Sequence, residues 1–280
     1  IEAAGMKYIH AVEVYVTATL DEKIRDNMHC VLIAKNLDGA MELNRLVSKS
    51  FTRTDNHFYY VPRISMEELF STSANIMVTS ACIGGIIAKS EGEQLDRFME
   101  FMADNRERCW LEIAHHPAPS QCEHNQFLYL LSRQYSVPLI AGTDTHCLND
   151  EHVKGRHILQ ISKNIHFENE DLWDLRFKTL DELVQAYREQ DSLEESVFLT
   201  AIDNTNWMAD MVEPFTMDKG TKYPHIYDNP EQTFREKINQ AVEAHPYLLK
   251  RYDREDLQKT LETEIEVYKK CKSIDFMLLE

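Results

Sequence analysis

The chain has 280 residues, 43% of them hydrophobic, with 30 basic and 47 acidic side chains. This composition supports a buried core, and no apolar run reaches the roughly 20 residues of a membrane-spanning helix. The net charge of −17 argues against a surface that grips nucleic acid directly, because such surfaces normally carry a basic patch. If the protein serves DNA, we expect regions outside this chain to hold it.

Strand-like and helical segments alternate along the first part of the chain. Short β-branched and aromatic runs predict strands, and apolar residues at helical spacing predict helices between them. The predicted strands are Lys7–Thr17, His29–Ala34, Asn75–Thr79, Cys109–Ala114 and Leu139–Ala141. The predicted helices are Gly39–Phe51, Glu93–Arg106, Gln121–Tyr135 and Glu151–Ile161. This alternation predicts an α/β sheet or barrel.

After about residue 178 the sequence becomes helical. The predicted helices are Leu180–Arg188, Leu193–Val212, Pro230–Ala244 and Arg254–Cys271, and a polar segment with Pro214, Gly220 and Pro224 separates them. The change of character predicts a domain boundary near residue 190. We therefore expect an α/β domain over residues 1–190 and a helical linker module over residues 191–280.

The segment from Pro138 to His146 ends an apolar run with an Asp-x-His pair. Residues two apart in a strand point to the same side, so Asp144 and His146 are expected to face one point. A carboxylate and an imidazole in this arrangement suit a divalent metal ion. An isolated pair also arises often by chance, and an aspartate at a strand end commonly caps the next turn, so both interpretations stay open.

Other candidate ligands occur at strand ends or inside strands. Cys82 and the pair His115-His116 each follow a strand-like run, and Glu13 lies inside an apolar segment that would usually exclude an acid. Strand ends converge on one face in parallel β/α architectures, so these residues can meet. The structural alternatives are a small core residue at Cys82, a helix cap at His116 ahead of Pro117, and a solvated strand face at Glu13.

Six cysteines, at positions 30, 82, 109, 122, 147 and 271, include no Cys-x-x-Cys pair. This spacing argues against a zinc finger and, in a chain of this length, against a disulfide framework. We interpret the cysteines as reduced thiols of a cytoplasmic protein.

The aromatic run Phe58-Tyr59-Tyr60 has two interpretations. Such side chains stack on bases in single-strand binders. Because little positive charge lies near them in the sequence, we interpret them as packing residues.

The chain also carries, in order, Glu13-Val-Tyr-Val, His29-Cys-Val-Leu-Ile-Ala-Lys-Asn, Phe58-Tyr-Tyr-Val-Pro-Arg-Ile, Ser80-Ala-Cys-Ile-Gly-Gly, Leu111-Glu-Ile, Thr143-Asp-Thr-His and Asp203-Asn-Thr. These stretches resemble the PHP (polymerase and histidinol phosphatase) domain of the α subunit of bacterial DNA polymerase III, the replicative C-family polymerase. Asp275-Phe-Met-Leu-Leu is similar to the segment that opens the polymerase palm. The resemblance implies an α/β fold, a distorted β/α barrel of PHP type followed by a helical segment leading into a palm. It makes residues 1–190 a PHP-like domain lacking its N-terminal part and residues 191–280 a helical linker with the start of the palm.

The resemblance also implies a set of six metal ligands: Glu13, His29, Cys82, His116, Asp144 and His146. A complete site of this type holds two or three ions that activate a water for attack on a phosphoester. A thiolate at Cys82 favours zinc, with manganese and magnesium as alternatives. The family also uses a His-x-His, an acid and an Asp-His pair upstream of Glu13, and the given sequence begins before Glu13 without them. We therefore expect little or no hydrolysis by these residues alone, and no catalytic residue is assigned.

The first hypothesis is a part of a replicative polymerase α subunit, whose PHP domain acts as a 3′–5′ exonuclease or as a structural platform. The second is a free-standing PHP phosphoesterase acting on a small ester such as histidinol phosphate. The third is a non-catalytic module that contacts a proofreading exonuclease or another replisome subunit. The palm-like segment at Asp275 argues against the second hypothesis, since a phosphatase has no need of it.

Overall fold

The structure is a computed structural model that describes residues 4–165, 172–218, 220 and 223–279, and every structural statement below refers to these residues. The chain divides into two compact units, Ile1–Thr216 and Met217–Glu280. No helix in the described ranges is long and apolar enough to cross a membrane.

The first unit contains a seven-stranded sheet. Its strands are β1 (Ala11–Thr17), β2 (Met28–Ala34), β3 (Phe58–Tyr59), β4 (Val61–Ser65), β5 (Ile76–Thr79), β6 (Cys109–Ala114) and β7 (Leu139–Gly142). Their order across the sheet is β3-β4-β1-β2-β5-β6-β7. The five strands predicted from sequence are all present, whereas β3 and β4 were missed.

Strand directions decide which loops meet. β5, β6 and β7 are parallel to one another, whereas β2 is antiparallel to both β1 and β5. The beginning of β2 therefore lies at the same edge of the sheet as the ends of β5, β6 and β7. This edge carries most of the candidate ligands.

Eight helices of the first unit connect these strands and follow them: α1 (Leu37–Ser50), α2 (Met66–Phe70), α3 (Ile86–Lys89), α4 (Glu93–Asp104), α5 (Pro119–Tyr135), α6 (Asp150–Lys163), α7 (Leu180–Gln190) and α8 (Glu195–Asp210). Side-chain caps fix where several begin. Asn36 accepts a hydrogen bond from the Gly39 N–H at the start of α1, and Ser65 and Glu68 form a reciprocal capping box on α2.

The last two of these helices pack on the sheet. Asn204 of α8 donates to the Leu139 carbonyl of β7 at 2.7 Å, and Trp207 packs edge-to-face on the buried Trp110 of β6. The Tyr187 hydroxyl of α7 donates to the Ile113 carbonyl at 3.0 Å. The boundary near residue 190 thus lies between two helices of one compact unit, and a linker beginning there stays a prediction.

The second unit is helical, as expected. It contains α9 (Pro230–Ala244), α10 (Tyr247–Arg251), α11 (Arg254–Lys270) and α12 (Ile274–Met277). Its small core is built on Phe234, Ile265 and Leu278. The α/β class followed by a helical segment is therefore confirmed.

Candidate metal centre

Two candidate ligands meet across the β1–β2 hairpin. Tyr15 lies opposite His29 and Glu13 opposite Val31, so Glu13 and His29 are diagonal neighbours on one face. Glu13 Oε1 lies 3.2 Å from His29 Nδ1, and the Tyr15 ring packs edge-to-face on the imidazole. The reversal of β2 explains how a histidine at the beginning of an apolar run reaches a site formed mainly by strand ends.

Cys82 reaches the same place from the loop that follows β5. Its Sγ lies 3.6 Å from His29 Nδ1 and accepts a hydrogen bond from the Gly84 N–H at 3.4 Å. The loop is tight, because Ala81 has a φ of +58° and a Cβ at Gly84 would lie only 2.9 Å from His29 Nδ1. Glycine at position 84 therefore permits the close approach of the imidazole.

Glu112 is a site residue that the sequence analysis missed. It lies on β6, and its Oε2 accepts a hydrogen bond from the Thr79 hydroxyl at 2.6 Å. A Cβ at Gly142 would lie 2.0 Å from Glu112 Oε1, so glycine leaves the room that this carboxylate occupies. Burial, followed by the charges of Asp144 and Glu13, raises the pKa of Glu112 to about 6, although the Thr79 bond acts against this rise. The available signal was an acid inside an apolar strand, the same signal that singled out Glu13.

Two buried histidines follow β6 directly. His115 and His116 are each 1% exposed, and the His116 ring packs against Trp173. Within the described residues no ring nitrogen of either histidine makes a hydrogen bond of good geometry, although the nearby Asp174 backbone opposes the fall in the pKa of both. Burial lowers the pKa of both, to about 4 for His115. Both imidazoles are therefore neutral near pH 7, which is the form that binds a metal ion.

Asp144 and His146 lie in the loop after β7. The strand ends at Gly142, so the two side chains come together, with His146 Nδ1 3.7 Å from Asp144 Oδ1, through the loop and not through strand alternation. A φ of +44° at Asp144 folds the loop instead, and His146 Nδ1 donates to the Asp144 carbonyl at 2.8 Å. That bond leaves Nε2 of His146 available, the arrangement common in metal-binding histidines. No hydrogen bond or ion pair in the described part of the chain joins His146 to Glu13, His29 or Cys82.

One electrostatic environment links these loops. Burial, and then the charges of Asp144, Glu13 and Glu112, raises the pKa of the Cys82 thiol to about 11, although the Gly84 N–H acts in the other direction. The charge of the acid after β7 therefore acts on the thiol after β5.

The donor set suits a divalent ion in chemistry but not in arrangement. Carboxylate, imidazole and thiolate are all donors that zinc accepts. Nevertheless, no three His, Cys, Asp or Glu side chains among the described residues are placed so that they could hold a metal ion. Glu13 and Cys82 instead both contact Nδ1 of His29. No hydrolytic step is therefore assigned to a bound metal.

The structure bears on the structural alternatives at His116 and Cys82. The helix after His116 begins at Pro119 with Ala118 as its N-cap, so the helix-cap interpretation of His116 is wrong. Cys82 is only partly buried and contacts a polar side chain, which differs from a small core residue. Metal ligation at all six predicted positions stays a prediction.

Comparison with known proteins adds the family. Residues 1–116 match the PHP domain family. "DNA polymerase III subunit alpha" of Aquifex aeolicus is 27% identical, and the match covers 100% of this chain and 26% of that protein. "DNA polymerase III PolC-type" of Thermotoga maritima is 27% identical over 78% of this chain and 16% of its own length. "DNA polymerase III subunit alpha" of Borreliella burgdorferi is 32% identical over 56% of this chain and 14% of its length.

The chain therefore contains a PHP domain, and the fold prediction of PHP type is confirmed. Relatives named DNA polymerase III subunits match through and beyond that domain, so the chain is similar to the corresponding part of those proteins. The chain spans 14–26% of the length of these three relatives. PHP domains are metal-dependent, which supports a role for divalent ions in general.

Proposed function

We propose that this chain forms the PHP domain and the following helical region of a replicative DNA polymerase III α subunit. The observation that supports this most is the Aquifex aeolicus relative, whose match covers the helical unit as well as the α/β unit. A free-standing phosphoesterase would not require that helical unit. As a polymerase component the chain would act in the cytoplasm, with DNA bound mainly by regions outside it and with other replisome subunits as partners.

The proposal includes a divalent metal ion at the edge of the sheet, with zinc preferred over manganese and magnesium because Cys82 offers a soft thiolate. Glu13 and Asp144 would supply oxygen ligands, and His29, His116 and His146 nitrogen ligands. Such an ion, if held by these residues, would supply Lewis-acid chemistry suited to phosphoester hydrolysis. Because the donors contact one another instead of surrounding a common point, we propose a mainly structural role for these residues, with weak 3′–5′ exonuclease activity at most.

Metal titration tests the ligand set. We expect zinc to bind the 280-residue chain and the Cys82→Ser variant to bind it at least about tenfold more weakly, since a soft ligand is lost. Cys271→Ser is the matched control, because Cys271 is an exposed free thiol of the second unit. Cobalt substitution adds a second measurement, as a thiolate–cobalt absorption band should disappear only in Cys82→Ser. Equal zinc affinities of all three proteins would contradict the assignment of Cys82.

The sequence of the parent gene tests the polymerase assignment. We expect the reading frame to continue into a palm with a glycine-rich Gly-Arg-Gly-Ser loop and paired aspartates. A stop codon soon after residue 280 would contradict the assignment and favour the free-standing phosphoesterase.

An end-labelled single strand tests the hydrolytic role. Little release of nucleotides with zinc or manganese is expected from the chain. Strong release of nucleotides that disappears in Asp144→Ala would contradict the mainly structural role and indicate exonuclease activity.

A further inference from the structure

Two arginine–aromatic pairs lie around the turn between β3 and β4, where both arginines and the Tyr60 ring are exposed and the Phe58 ring is half-buried. The Arg25 guanidinium carbon lies 4.1 Å from the centre of the Tyr60 ring, and that of Arg53 lies 4.3 Å from the centre of the Phe58 ring. Neither arginine forms an ion pair within the described part of the chain. With the neighbouring Phe51, these residues form what we call the arginine–aromatic patch. Because neither arginine of the patch is ion-paired within the described residues, both positive charges are available to an anionic partner.

Large apolar rings of the patch face solvent. Tyr60 is 62% and Phe51 is 55% exposed, and the Phe51 and Phe58 ring centres lie 6.1 Å apart. Tyr60 also has a φ of +64°, an uncommon conformation for a bulky side chain. Strain of this kind persists only where the surrounding structure holds it.

A buried arginine supplies that support. Arg63 is fully buried, and its two terminal nitrogens donate to the Ile24 carbonyl at 2.5 Å and to the Asn56 carbonyl at 2.7 Å. Asn56 donates in turn to the Leu20 carbonyl at 2.8 Å. Arg63 thus ties together the segment that carries Arg25 and the segment that carries Arg53. The patch is therefore held in place before any partner binds, which lowers the entropy lost on binding.

We propose that the arginine–aromatic patch binds single-stranded nucleic acid. Exposed rings stack on unpaired bases of any sequence, and guanidinium groups contact phosphates or stack on the bases themselves. Two arginines are too few for a duplex, whose bases are already stacked and whose binding depends on many phosphate contacts. The acids nearest the two arginines in the sequence have other partners, since Asp26 lies 3.8 Å from Arg63 and Asp55 lies 2.8 Å from His57. Repulsion from charges more than about 8 Å away is screened at physiological ionic strength.

This proposal differs from the interpretation of Phe58-Tyr59-Tyr60 as packing residues. That interpretation rested on the lack of positive charge nearby in the sequence, and the fold brings Arg25 from the β1–β2 loop to Tyr60. The proposal does not depend on metal binding. Its test can therefore fail without affecting the proposed metal centre.

Fluorescence anisotropy with a labelled oligothymidine of about a dozen nucleotides tests the patch, since single-strand sites span roughly 4–16 nucleotides. The full chain should bind this probe more tightly than a duplex of equal length. Tyr60→Ala and the double variant Arg25→Ala/Arg53→Ala should each weaken binding about five- to tenfold, whereas Tyr60→Phe should retain it. Arg97→Ala is the control, because Arg97 also lies over an aromatic ring but is ion-paired with Glu67.

Circular dichroism and zinc affinity should be unchanged in all these variants, which separates loss of the patch from loss of the fold. The proposal is overturned if the wild-type chain does not bind the probe. It is also overturned if Arg97→Ala weakens binding as much as the patch variants do, or if duplex is preferred.

Discussion

Two clusters of ionisable groups in the first unit hold their carboxylates in opposite electrostatic environments. One lowers the pKa of its acid and the other raises it. Around Glu68, the carboxylate receives the Lys49 ammonium at 2.5 Å, the His57 Nε2 at 3.0 Å and the Ser65 N–H at 2.9 Å. Burial alone would raise the pKa of Glu68, but these hydrogen bonds outweigh it and lower the pKa to about 2. This network is complete without a ligand.

At the candidate metal centre no Lys or Arg side chain of the described residues pairs with Glu112, Asp144 or Glu13, and Glu13 contacts the His29 imidazole. Glu112 receives only the Thr79 hydroxyl and has a raised pKa near 6, and Asp144 and Glu13 add further negative charge. Buried His115 and His116 stand nearby without a hydrogen bond of good geometry in the described residues. Groups with a perturbed pKa often occur at functional sites, and structural ion-pair networks such as that of Glu68 perturb pKa values as well. The two clusters therefore differ in how their carboxylates are balanced, and metal binding at the second cluster stays a prediction.

The largest expected effect is on metal binding. Asp144→Ala removes a carboxylate from the centre and should lower zinc affinity about 100-fold, as well as abolish any hydrolysis that the chain shows. Isothermal titration of zinc measures the change, with Asp104→Ala on the surface of α4 as the control. Unchanged affinity and activity in Asp144→Ala would place the metal site elsewhere.

The next effect is on stability and concerns the Glu68 network. Glu68→Gln should lower the free energy of unfolding by about 2 kcal/mol at pH 7, because it breaks a partly buried charged network. The folded-state pKa lies below the ordinary value of 4.5. The contribution of Glu68 is therefore complete above about pH 4.5 and is lost as the pH falls towards 2.

Urea unfolding across this pH range measures the effect. Glu67→Gln lies on the same helix and contacts the exposed Arg97, so it should change stability far less. An equal loss in both variants would mean that the network does not stabilise the fold.

The smallest expected effect is a gain, not a loss, in the free energy of unfolding. The folded-state pKa of Glu112 is above its ordinary value, so the stability it contributes in protonated form is lost as the pH rises through about 6. Glu112→Gln should therefore raise the free energy of unfolding of the metal-free chain by about 1 kcal/mol at pH 8 and have little effect at pH 4.

Chemical denaturation at these two pH values measures the difference, and Glu123→Gln on α5 is the control. Destabilisation by Glu112→Gln at pH 8 would show that its charge is already balanced in the metal-free chain. The contrast with Glu68 would then disappear.

The strands of this chain could be located well from sequence where their runs were apolar and bounded by turns. β6 has the predicted limits, and β5 and β7 differ by one residue at one end. β3 and β4 were missed because they are short and include Pro62, which weakens a strand pattern. Glu112, like Glu13, is an acid inside an apolar strand, so the sequence itself carries the signal for it.

The amino-acid sequence by itself determined the α/β class, the helical second part and the residue types of the site, because periodicity and turn residues act over short distances. The tertiary structure decided which of those residues meet. The reversed direction of β2 placed His29 beside Glu13 and Cys82, and the β3–β4 turn placed Tyr60 against Arg25. Such pairings depend on strand neighbours far apart in the chain, and a local pattern carries no information about them.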